Sequence, residues 1–214
     1  MLAFAVPTMA LAHGVSAHDQ EMLNSGGLLS YIYVGAKHMI TGYDHLLFLA
    51  GVVFYLKGLR DIVRFVSVFT IGHSITLIGA SYLGITADEH LVDAVIALSV
   101  LYKGAENMGW FKKAGIHLPD LLVMVFLFGL IHGFGLATRL QSFDIGTDQF
   151  LAKIVSFNVG VELGQIAALI PFVFILLFWT KRSSYPAFYR GANLILVSAG
   201  IGLFIYQLYG YLNS

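Results

Sequence analysis

Apolar residues run along this chain in long blocks separated by short polar breaks. They show neither the strict alternation of a half-buried strand nor the narrow stripe of a water-facing helix. Crossing ~30 Å of hydrocarbon takes about 20 helical residues. Six blocks approach that length: 42–57, 62–84, 91–110, 119–138, 151–179 and 189–211. The first is short for a span, and the fifth is long enough to tilt or project. Before them, the half-polar segment "GLLSYIYVGAKHMI" at 27–40 reads as a short interfacial helix that lies along or dips into the outer face. The pattern predicts an all-α membrane protein, with a six-transmembrane helical bundle over 42–214 and a periplasmic segment carrying the interfacial helix over 13–41. Residues 1–12 resemble the apolar core of a signal peptide that ends in the small residues Ala10-Leu11-Ala12.

Composition strengthens the membrane assignment. Of 214 residues, 58% are hydrophobic and 11% charged. A soluble domain carries about 25% charged residues. Net charge is zero, which gives no footprint for nucleic acid. Cysteine is absent, so disulfides, thiolate metal sites and a cysteine nucleophile are excluded.

The basic residues set an orientation. Lys57, Arg60, Arg64, Lys112, Lys113, Lys181, Arg182 and Arg190 gather in alternate loops, while the opposite side holds Lys37, Arg139 and Lys153. By the positive-inside rule this predicts a multi-pass protein of the bacterial inner membrane with both termini periplasmic.

Ionisable residues inside the spans carry the functional signal, because a charge at the centre of a helix costs roughly 2.5–3.5 kcal/mol even on lenient scales. Asp44 and His45 open the first block, with His38 just ahead of them. His73 lies mid-block in "FTIGHSITL", and His132 lies in "LIHGFGLA". Lys103, Glu106 and Asn107 fall toward the inner end of the third block. Asn158, Glu162 and Gln165 stand at i, i+4 and i+7, hence on one helix face. Glycines flank nearly all of these, allowing backbones to approach and polar side chains to converge.

Taken singly, Asn158 and Gln165 also suit interhelical hydrogen bonding, and Lys103 with Glu106 suits a neutralising ion pair. His90 and His117 read as surface residues. Together, imidazole and carboxylate on several helices form a ligand set for nickel, cobalt, zinc or iron.

Five stretches in order, "HMITGYDHLLFL", "FTIGHSITL", "ALSVLYKGAENM", "LIHGFGLA" and "FNVGVELGQ", resemble the HupE/UreJ family of bacterial membrane proteins over about residues 30–212. The family's H-x5-D-H signature falls on His38, Asp44 and His45, with Met39 where the family usually has proline. The resemblance implies a nickel permease of the kind often encoded near hydrogenase or urease genes. Its partners would be the metal ion, the bilayer and, beyond these, a second copy or a metalloenzyme-maturation protein.

The expected function is therefore permeation or binding of a divalent transition metal, with nickel or cobalt ahead of zinc. His38, Asp44 and His45 would capture the ion. His132, His73, Asn158 and Glu162 would hold it, and Glu106, Asn107 and Gln165 would line its path. Ligating histidine must be neutral, so uptake should fall as pH drops through about 6.5. Two other readings stand beside this one: a membrane-embedded zinc hydrolase with Glu162 or Glu106 as base, and an accessory subunit of a respiratory or metalloenzyme assembly.

Overall fold

The computed structural model describes residues 17–141 and 148–213, and the regular structure among them is entirely helical. The signal-like segment 1–12 lies outside the described residues. In chain order the elements are α1 (Ala17–Ser25), α2 (Leu28–Thr41), α3 (Tyr43–Val52), a 3-10 turn (Val53–Tyr55), α4 (Leu59–Leu83) and α5 (Glu89–Asn107). There follow α6 (Trp110–Lys113), α7 (Leu121–Leu140), α8 (Phe150–Trp179) and α9 (Tyr185–Leu212). Asp88 and Asp120 cap α5 and α7, accepting from the backbone N–H groups of Leu91 and Leu122. Gly84 ends α4 with the left-handed conformation (φ 66°) that only glycine adopts without strain.

Among the described residues, four helices are long and apolar enough to cross a membrane: α4, α7, α8 and α9, with 25, 20, 30 and 28 residues. Their outward faces expose Ile71, Ile75, Phe174, Ile175, Ile195 and Ile205, a surface suited to lipid. The third expected block appears as the 19-residue α5, which carries Glu89, Asp93, Lys103 and Glu106 and is correspondingly less apolar.

The expected first span is shorter and more broken than its block suggests. Residues 42–57 do not form one crossing helix. Tyr43–Val52 and its 3-10 turn are followed by an extended residue at Leu56, and 13 residues rise only ~20 Å. The expected interfacial helix appears as α2, which packs against α8 at backbone contact distance. A side chain at Gly160 would run into the Ile32 carbonyl, and one at Gly35 into the Phe157 carbonyl. The polar residues of 27–40 dilute its apolar ones, so the sequence pattern shows the helix but not this packing. The glycines opposite are what draw it inward.

Three helix pairs build the bundle. α2 runs parallel to α8, since Ile32 meets Gly160 and Met39 meets Gly164. α4 runs parallel to α7, with Phe69 at Gly129 and His73 at Gly133. α5 runs antiparallel to α9, with His90 at Gly210, Leu101 at Gly200 and Gly104 at Asn193. The segments "FTIGHSITL" and "LIHGFGLA" thus pack directly on each other, and their small residues bring both histidine-bearing backbones into contact. α3 follows α2 after one non-helical residue, Gly42, and Gly51 reaches Lys103 and Asn107 of α5. The helices α2 and α3 together form a broken rod of 28 residues through the 3-10 turn, beside α8 and α5.

Candidate metal centre

The break at Gly42 makes the site. Seven residues on an unbroken helix rise ~10.5 Å, yet the rings of His38 and His45 stand 5.0 Å apart, edge to face. A side chain at residue 42 would approach His45 Nδ1 to 2.7 Å and Asp44 Oδ1 to 3.2 Å, so glycine leaves the room these two need. Gly42 is also the N-cap position of α3 and offers no side-chain cap. Asp44, inside the first turn, instead accepts from His45 Nδ1 at 2.9 Å.

His45 carries the chain of imidazoles onward. Its ring lies 4.8 Å from that of His132 on α7, whose Nε2 is 3.4 Å from Ser99 Oγ on α5. One ligand atom from each of Asp44, His45 and His132 falls within 4.8 Å of the others, and all three residues are buried. Two ligands of one ion can be no more than ~4.2 Å apart, since each bond is ~2.0–2.2 Å. The group's 4.8 Å span is within about half an ångström of that limit.

Carboxylate-to-imidazole bonding of this kind fixes the tautomer and orientation of a ligating histidine. It leaves His45 Nε2 buried without a hydrogen-bond partner among the described residues. His38 is half-buried, so it sits where the cluster meets the exterior.

His73 of α4 is arranged in the same way. Its Nδ1 donates to Asn158 Oδ1 at 2.9 Å, while Asn158 Nδ2 donates to the Ile154 carbonyl at 3.1 Å. This network assigns the proton to Nδ1 and leaves Nε2 as a buried lone pair with no partner among the described residues. Phe69 lies between His73 and His132, its ring 6.1 Å from the first and 5.4 Å from the second.

Not every expected site residue joins the cluster. The stripe Asn158, Glu162 and Gln165 does share one face, and that face meets α4. Glu162 accepts from Ser67 Oγ at 3.0 Å, and Thr70 Oγ1 donates to Gln165 Oε1 at 3.4 Å. Glu162 therefore borders an open groove between α4 and α8, with Ser67, Thr70, Ser74 and Asn158, rather than the imidazole group. Glu106 pairs with Lys103 at 2.6 Å. Asn107 donates to the Gly51 carbonyl at 2.8 Å and to Asn193 Oδ1 at 2.6 Å, tying α3, α5 and α9 together. Between the histidines and this end of α5 lie Phe48, Phe69 and Phe128. The ring of Phe48 is 5.6 Å from that of His132 and 5.2 Å from that of Phe128.

Sequence reasoning passed over Asp93, Asn193 and Gln207. Arg139, counted among loop charges, is a buried residue in the last turn of α7 and pairs with Asp93 at 2.5 Å. Gln207 donates to the same carboxylate at 3.1 Å, and His90 donates to Gln207 at 2.8 Å, so His90 is not a plain surface residue. The available signal was the i, i+3 spacing of His90 and Asp93, which places both on one face.

Helices of membrane length enclosing a buried aspartate–histidine group define a multi-pass membrane protein with a candidate metal centre. Within that class the chain belongs to the HupE/UreJ family: the family model described as HupE / UreJ protein matches residues 16–213. No curated protein and no solved structure matches it.

Proposed function

We propose that this protein is a membrane permease for a divalent transition-metal ion, nickel or cobalt before zinc, and that Asp44, His45 and His132 form its principal site. The observation that carries this reading is the convergence of three buried ligand atoms to within 4.8 Å, beside a helix break. Discontinuous helices recur at the ion sites of transporters, where irregular backbone is tolerated because it lines a cavity. Mixed nitrogen and oxygen ligands suit nickel and cobalt. A three-ligand group bound to neighbouring imidazoles also suits transport, which requires binding weak enough to be reversed.

In this reading His38 receives the ion at the mouth and passes it to His45. His73 offers the next lone pair, held in register by Asn158. Glu106 and Asn107 mark the far end of the route. Glu162 and Gln165 flank it from the α4–α8 groove. The broken rod α2–α3 acts as the first of six crossings, with both termini periplasmic in a bacterial inner membrane. The ion would serve the metalloenzyme maturation that the family resemblance implies. A reporter fused after Ser214 should be active only in the periplasm, and cytoplasmic activity would invert the assigned mouth.

Uptake into proteoliposomes, compared across nickel, cobalt, zinc, iron and copper, tests the reading. Nickel or cobalt should enter fastest, and Asp44→Asn should lower metal affinity ~10–100-fold with the fold retained. Wild-type vesicles no faster than protein-free vesicles for all five metals would refute it.

A further inference from the structure

Beyond the aromatic layer lies a charge that a cation route should not contain. Lys103 of α5 is 1% exposed. A lysine near the end of a membrane helix ordinarily extends its ammonium to the interface, but this one is held inside. Its stem lies against Gly51, where an added Cβ would stand 2.7 Å from Lys103 Cγ. Its Nζ is 2.6 Å from Glu106 Oε2 and 3.9 Å above the centre of the Tyr55 ring.

The position follows from helix geometry. Lys103 is one turn beyond Ser99, which touches His132, and Gly51 is six residues beyond His45, a rise of ~9 Å. The ammonium thus stands between the imidazole group and the far end of α5. There Asn107 borders an open cleft of about 710 Å³ that Lys113 and Arg190 also line.

We propose that Lys103 gates the route between the metal cluster and this cleft: its ammonium is a tethered cation that holds the Glu106 carboxylate until a divalent ion displaces it. This rests on the permease reading and assigns its inner barrier. An ion leaving the cluster meets a positive charge and a carboxylate that is already occupied. A doubly charged ion competes for that carboxylate better than a single ammonium does. Lys113 and Arg190 line the cleft beyond it, so the same positive charges raise the barrier to crossing in either direction. The pair thereby sets that barrier without any separate moving domain.

A structural ion pair would look the same at rest, so the test is made on flux. The full chain is reconstituted in vesicles carrying a nickel-quenched dye, and Ni²⁺ is presented to each face. Lys103→Gln frees Glu106, and it should bind a second Ni²⁺ per chain in titration. The double variant Lys103→Met, Glu106→Met replaces the pair with apolar side chains of similar length, a change that buried ion pairs often tolerate. It should remain folded and monodisperse, and it should pass Ni²⁺ from either face ~10-fold or more faster than wild type. A folded double variant with wild-type flux in both directions would overturn the gate and reduce the pair to a structural contact. A wild-type protein that binds no Ni²⁺ would overturn the permease reading, and the gate with it.

Discussion

Two buried polar regions of this bundle are built from similar residues and treat their hydrogen-bonding groups differently. Along the α5–α9 seam the polar side chains bond mainly to one another and to backbone, although Asn107 Oδ1 accepts nothing from the described residues. Asn107 donates to Asn193, Asn193 Nδ2 donates to the Tyr189 carbonyl at 2.8 Å, and the Tyr189 hydroxyl donates to the Asn107 carbonyl at 2.9 Å. Farther along, Asp93 accepts from both Arg139 and Gln207, and Gln207 accepts from His90. Around the α2–α3 break, His45 and His73 each engage only Nδ1. Their Nε2 atoms are buried with no partner among the described residues.

Buried polar groups in folded proteins are overwhelmingly hydrogen-bonded. A seam whose side-chain donors are engaged by its own acceptors needs little further to explain it. A group of oriented imidazoles with bare lone pairs is explained by what it would bind. Burial of a polar residue in the membrane is therefore a weak sign of function, and the state of its lone pairs is a stronger one.

The largest effect expected from breaking this contrast lies in the seam. Arg139→Leu leaves the Asp93 carboxylate buried without its cation, and breaking such a pair costs roughly 3–5 kcal/mol. Thermal melting in detergent should show that loss, while the Ni²⁺ affinity of the folded fraction stays at the wild-type value. A drop in affinity without a drop in stability would move Arg139 from the scaffold to the site.

Asn158→Leu probes the other class. It removes the group that fixes the His73 tautomer, and outer-shell changes of this kind typically cost 10–100-fold in metal affinity. Titration with Ni²⁺ should show a weakening toward the lower end of that range, because His73 stands beside the principal group rather than in it. Unchanged affinity would mark His73 and Asn158 as helix glue. The smallest effect belongs to Asn193→Ala: interhelical hydrogen bonds in membranes average about 0.6 kcal/mol and reach about 1.7. Stability should fall by that order, with metal affinity unaffected.

The sequence showed the helical class and the four long apolar helices, because lipid imposes a period-free apolar block that survives any packing arrangement. It also singled out His38, Asp44, His45, His73 and His132, because charge and imidazole are conspicuous in such blocks. It did not show that α2 packs inward. The partners that hold α2 are glycines of α8 more than a hundred residues away, and no local pattern records them. It also placed Glu162 with the histidines. The face it shares with Asn158 was read correctly, but only the packing of α4 against α8 decides that Ser67, not an imidazole, stands opposite. Asp93 and Arg139 were obscure for a similar reason: each lies within two turns of a helix end, where a solvated charge and a buried pair look alike in sequence.

The central claim is that Asp44, His45 and His132 together hold one metal ion. It is tested most directly by titrating the purified full chain with Ni²⁺ and recording nickel X-ray absorption on the product. The account predicts one ion per chain, a first shell containing two imidazoles and carboxylate oxygen at ~2.0–2.2 Å, and loss of an imidazole from that shell in His132→Ala. A protein that binds no nickel, or binds it through oxygen alone with a spectrum unchanged in His132→Ala, would contradict the account.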